Sequence, residues 1–225
     1  MVDTPYAGYL PIFWEGTNNA GAPPFSDLAS QVATVPSGQN YLVLSEMTLN
    51  GPGYWVGGSA YNSIVGTNNQ LANVYGAHYL DVRELLVNSY NSLLVTDVSD
   101  YNHDEPPTSL RAFLGSGTLG SSIGPSDTSF TVDLATGTLT SGAILTIDTG
   151  ANAENVAVMS VFGNTVVVDR NWGGNNTSHS TGVTVTQSDS IHLNAQGYQI
   201  VANAVAGYLS AYASPAAQGL HLHEK

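Results

Sequence analysis

The sequence predicts an α/β domain interrupted by an all-β insertion. Three observations lead there. Short apolar runs alternate with helical patterns up to residue 111; β-branched runs with almost no helical pattern fill 112–187; and a helical pattern returns after 188. The expected organisation is a first α/β part at 1–111, a small β domain at 112–187, a last α/β part at 188–214 and a loose tail at 215–225.

Tyr9 to Trp14 is a continuous apolar run, expected as a buried strand ending at Glu15-Gly16. Pro23-Pro24 opens a helix, since proline fits the first helical turn, with Phe25, Leu28, Ala29 and Val32 on one face. Tyr41-Leu42-Val43-Leu44 is the second strand, and a glycine-rich stretch follows, Asn50-Gly51-Pro52-Gly53 and then Gly57-Gly58. A longer helix starts at Ser59, with Ile64, Leu71, Val74 and Tyr75 as its apolar positions. Tyr79 to Val82 is a third short strand, and Arg83 to Tyr90 a short helix. Such alternation implies parallel strands joined by right-handed crossovers.

Within the insertion, strands are expected at 129–132, 143–147, 156–161, 165–168 and 181–186, with Gly163-Asn164 as a two-residue hairpin turn. Asn194 then caps a helix carrying Ile200, Val201, Ala204, Val205, Tyr208 and Leu209 at helical spacing, and Ser214-Pro215 ends it.

Composition narrows the function. Of the 225 residues only 9% are charged, against a usual share of about 25%, so polarity comes from Ser, Thr, Asn, Gly and Tyr. Seventeen acidic residues face four basic ones (Arg83, Arg111, Arg170 and Lys225), and the net charge of −13 argues against nucleic acid as a partner. The absence of cysteine excludes disulfides and thiolate metal sites and, with the scarcity of lysine, suits a virion or extracellular setting. No apolar run reaches the roughly 18–20 residues of a membrane span, so no membrane insertion is expected. Met1 to Pro5 has neither the basic nor the apolar region of a signal peptide. No cofactor and no metal is expected. His221-x-His223 is too sparse a ligand set, and Asp100, His103, Asp104 and Glu105 before Pro106-Pro107 read as a solvated acidic loop.

Two blocks carry residues suited to chemistry. Gly16-Thr17-Asn18-Asn19 follows the first strand, where open α/β sheets place their sites. Gly16 permits a close backbone approach and the Asn18 amide is a neutral oxyanion donor, although a plain turn would use the same residues. Asp189-Ser190-Ile191-His192 precedes the last helix, and a carboxylate three residues before a histidine can hold the imidazole in the tautomer of a general base. A capped helix start is the alternative there. Trp14 and Asn19 beside the first block, and Tyr54 and Trp55 on the glycine-rich loop, are the expected substrate contacts; aromatic rings there either stack on sugars or pack within the loop.

Together, Gly16-x-Asn18 and Asp189-x-x-His192-Leu193-Asn194 followed by Gly197-Tyr198 resemble the SGNH (GDSL-type) hydrolase family over about 1–111 and 188–213. The resemblance implies a three-layer, flavodoxin-like α/β fold and ester hydrolysis. It also implies an Asp189–His192 base and Asn18, with Gly16, in the oxyanion loop. Two positions depart from the family. Asn19 stands where it has an Asp, and the Gly-Asp-Ser block that carries its nucleophile is absent, together with the strand before it. Without that serine no acyl-enzyme can form. The expectation is therefore either the C-terminal part of an esterase or deacetylase of surface carbohydrate esters, or a non-catalytic virion or surface-binding relative. The missing strand also implies an exposed sheet position, filled by an upstream polypeptide carrying the serine block or by another chain in a homo- or hetero-oligomer. Ser129 to Val132, Gly142 to Ile147, Glu154 to Val158 and Val168 to Gly174, then His179 to Gly182, resemble a small β module of bacteriophage tail and virion proteins. Arg170 and His179 are its polar points, expected to fix loops rather than to bind a ligand.

Overall fold

The computed structural model of the chain describes residues 9–16 and 25–213. It is a mixed α/β protein with two sheets. The first is parallel, in the order β1 (Ile12–Phe13), β2 (Leu42–Leu44), β3 (Tyr79–Leu80). The second is a closed six-stranded antiparallel barrel. Its strands are β4 (Arg111–Leu119), β5 (Ser129–Thr136), β6 (Ile144–Ile147), β7 (Glu154–Phe162), β8 (Thr165–Gly174) and β9 (Thr184–Leu193), in the spatial order β4-β5-β8-β7-β6-β9.

Alternation along β2 sets the layers of the first sheet. Leu42 and Leu44 point to one face, where they meet Val82 and Leu86 of helix α3 (Val82–Val87) and Val201 of helix α5 (Ala195–Ala213). Val43 points to the other, against Leu28 of α1 (Phe25–Val32) and Leu71 and Tyr75 of α2 (Ser59–Tyr75). Both faces of the sheet are thus covered, as parallel strands require. The remaining helix, α4 (Val95–Asn102), lies against β8. Among the described residues β1 is hydrogen-bonded on one side only, by β2. No described helix is long and apolar enough to cross a membrane.

The barrel encloses a second core, with Phe130, Val132, Leu145, Val156, Val166 and Val185 all buried. The hairpin between β7 and β8 turns at Gly163-Asn164. Polar side chains close one end. Arg170 continues the inward row of Val166 and Val168, and its guanidinium holds Glu154 through Nε (2.9 Å) and Nη2 (2.7 Å). It also donates to the carbonyls of Gly124 (2.6 Å), Asp127 (3.0 Å) and Thr177 (3.0 Å). His179 Nε2 lies 3.0 Å from the same Glu154 carboxylate. Arg170 and His179 therefore tie the loops at this end to the barrel wall.

The barrel is fused to the α/β layers rather than hung from them. Its first and last strands are neighbours, and Arg111 pairs in register with Leu193. Strand β9 runs unbroken through residues 187 and 188, so the boundary expected there falls inside a strand; the β4–β9 ladder keeps the chain extended up to the last helix. The tail beyond Ala213 lies outside the described residues.

Two expectations are overturned. The first strand is not buried: it is only Ile12–Phe13, at the edge of the sheet, with Ile12 46% and Tyr9 67% exposed. The second concerns the acidic loop. Asp100 and Glu105 are not solvated: both are 0% exposed, as is Asp97. The acids sit on and after α4, at the junction with the barrel, where other groups reach them. Thr108 N–H donates to Asp100 Oδ2 (2.6 Å), Gly51 N–H to Glu105 Oε1 (3.0 Å) and the Ser109 hydroxyl to Asp97 Oδ2 (2.6 Å). Arg111, itself 2% exposed, attracts Asp100 and Glu105 electrostatically, and it donates to the carbonyls of Thr48 (2.9 Å) and Ile191 (2.7 Å). All three arginines of the chain are buried: Arg83 pairs with Asp104 at 2.9 Å and Arg170 with Glu154 at 2.7 Å.

Candidate active site

The C-terminal end of β9 builds the first half of the site. Asp189 turns back on its own backbone, and its Oδ1 accepts from the N–H groups of Ile191 (2.6 Å) and His192 (2.9 Å). Its Oδ2 lies 2.9 Å from His192 Nδ1. Burial pushes the Asp189 carboxyl up, but the hydrogen bonds from the His192 side chain and from the two backbone N–H groups outweigh it, and its pKa is lowered. An ionised carboxylate on Nδ1 makes that nitrogen the proton carrier and leaves Nε2 as the basic one. The His192 side chain is 63% exposed, so Nε2 is open to a reacting group.

The second half comes from the first sheet. The segment after β1 places Trp14, Glu15 and Gly16 in one cavity of about 430 Å³ with His192, together with Met47 from beyond β2 and Tyr198 from α5. Trp14 and Tyr198 meet edge to face at 6.4 Å. The site thus lies at the carboxyl ends of β1 and β2. Gly16 has a φ of +115°, and a Cβ there would sit 2.8 Å from Glu46 Cδ, so glycine is needed both for the backbone angle and for the contact. The Glu46 backbone is clamped by the Asn68 side chain, which accepts from Glu46 N–H (2.8 Å) and donates to Glu46 O (2.9 Å). Burial pushes the Glu46 carboxyl up to about 7.

The structure therefore brings His192, Asp189, Gly16 and Trp14 together. Asn18 and Asn19 lie outside the described residues. Tyr54 lines a neighbouring cleft instead, and Trp55 stacks on His103 at 4.9 Å with its edge toward Trp172 at 6.4 Å, which fastens the glycine-rich loop to α4 and the barrel. No serine, threonine or cysteine is among the described residues lining the His192 cavity. Among the described residues no group of three or more His, Asp or Glu side chains converges as a metal site would. Sequence reasoning missed Glu46 and Asp97, and it placed Asp100 and Glu105 in solvent. The signal available for the acids was the shortage of cations, which leaves Arg111 a surplus of carboxylates to attract.

No protein-family model and no curated protein matches this sequence. The site is read from its own geometry.

Proposed function

We propose that this chain is the base-bearing part of an SGNH-type, flavodoxin-like carboxylic-ester hydrolase, virion-borne or extracellular, that acts on carbohydrate esters. The observation that carries the reading is the 2.9 Å pair of Asp189 and His192 beside Gly16 in one open cavity. In this reading the serine nucleophile comes from a polypeptide segment outside these residues, seated against the free side of β1. Serine Oγ attacks the acyl carbon while His192 Nε2 takes its proton. His192 then returns that proton to the leaving sugar oxygen, and water hydrolyses the acyl-serine to free acid by the same relay. The lack of a serine, threonine or cysteine among the described lining residues favours a second reading, a non-catalytic virion or host-surface-binding protein of the same fold.

Hydrolysis of p-nitrophenyl acetate separates the two. The chain alone is expected to give no turnover above buffer. Mixed with an upstream polypeptide carrying Gly-Asp-Ser, it should give saturable turnover that His192→Ala lowers by about a thousandfold or more. Saturable turnover by the chain alone, abolished by His192→Ala, would overturn the claim of a supplied nucleophile. No turnover in the mixture would leave the binding-protein reading standing.

A further inference from the structure

A second cleft, of about 400 Å³, lies beside the His192 cavity, and Ile191 lines both. One wall is the glycine-rich loop, with Leu49 and Tyr54; the other is the outer surface of the barrel, with Ala157 and Met159 of β7. Met159 is 60% exposed, and its flexible, polarisable side chain is free to pack on an apolar ligand. The volume falls within the range of small-molecule sites, and junctions between structural units are where such sites concentrate.

The polar groups of this cleft select the ligand. They are Asn50, Tyr54, Asp169 and Ser190, with no lysine or arginine among the lining residues. Asn50 is 5% exposed and its amide donates to Pro106 O (2.9 Å) and Thr108 Oγ1 (3.1 Å), so it serves as a wall. The Asp169 carboxylate accepts hydrogen bonds and suits a ligand that donates them through hydroxyl groups. Asp169 and the lack of a cation disfavour a carboxylate or phosphate head.

We propose that the cleft binds the alkyl or acyl chain of a neutral, hydroxyl-bearing amphiphile, an alkyl glycoside or sugar ester. Binding there is independent of turnover. One step rests on the ester-hydrolase reading: with Ile191 as the shared wall, the chain of a substrate ester would lie in this cleft while its carbonyl faces His192.

Calorimetric titration of the chain with octyl β-glucoside, below its micelle concentration, tests this. Saturable binding is expected. Butyl β-glucoside, shorter by four methylenes, should bind roughly 250-fold more weakly, at about fourfold per methylene. Sodium octanoate should not bind over the same range. Met159→Asp, at an exposed position, should weaken octyl glucoside binding at least tenfold with the melting temperature unchanged. The proposal is overturned by any of three results: no saturable binding, equal binding of octanoate and octyl glucoside, or unchanged affinity in a folded Met159→Asp. Failure of the hydrolase reading registers only in the ester assay.

Discussion

Arg170→Met is expected to cost the barrel about 3–5 kcal/mol, because it leaves the buried Glu154 carboxylate without its cation. The guanidinium makes two bonds to Glu154 and three to loop carbonyls, and its removal opens all five. His179, 3.0 Å from Glu154, is the partner that remains. Urea unfolding measures the loss. The double variant Arg170→Met/Glu154→Leu removes both charges and should recover part of it, since the larger penalty belongs to the unpaired ion and not to the missing pair. A single-variant cost below about 1 kcal/mol, or a double variant less stable than the single, would show that this network does not hold the barrel end.

Raising the pH from 5 to 9 should destabilise the protein. Burial pushes the Asp100 carboxyl up to about 7 and that of Glu105 up to about 9, with the Asp100 charge adding to the shift of Glu105. In the unfolded chain both titrate near 4. Between these limits the folded state holds protons that the unfolded state has released, so stability falls as pH rises, by up to about 1.4 kcal/mol per pH unit for each such proton. The share of Asp100 is spent by about pH 7 and that of Glu105 by about pH 9. Glu46, raised to about 7, acts in the same direction. Asp189 is lowered, so its contribution is complete before pH 5 and does not mask the trend. Arg111, lowered by burial to about 10, holds its charge through the range. Urea midpoints at pH 5, 7 and 9 test the sign, and Glu105→Gln should flatten the limb from 7 to 9. Midpoints that stay level or rise would refute it.

The sequence discloses what local spacing controls. Helix α2 is legible because Ile64, Leu71 and Tyr75 recur at helical intervals, and all three are buried, with Thr67 and Asn68 beside them; Val74, the fourth apolar position, is exposed. The Gly163-Asn164 turn is legible because two β-branched runs flank it. Asp189 and His192 are legible as a pair because three residues at the end of a strand leave the two side chains within reach. What distant segments decide is not legible. Closure of the barrel depends on β9 joining both β4 and β6, which no single run of residues encodes. The burial of Glu105 depends on Gly51 and Arg111, and Arg111 in turn is held by Thr48 and Ile191, remote from it in the chain. Local acidity argues for solvent at Glu105, and tertiary contacts override it. Trp55, on a glycine-rich loop, reads equally as a sugar platform until His103 is seen to occupy one of its faces.

The inward placement of the arginines makes the folded chain a poor substrate for trypsin-like proteases. These enzymes cut after lysine or arginine, and only where several flanking residues can be drawn out into an extended strand. Arg83, Arg111 and Arg170 are 5%, 2% and 3% exposed, and each is anchored by hydrogen bonds to residues far away in sequence. Lys225, the remaining basic residue, lies outside the described part. Within the described residues, then, every bond such a protease could cleave is reached only after the junction or the barrel end has come apart. Digestion would follow the population of opened molecules rather than the surface of the native one. Resistance to trypsin-like enzymes would thus be built into the fold without a single disulfide.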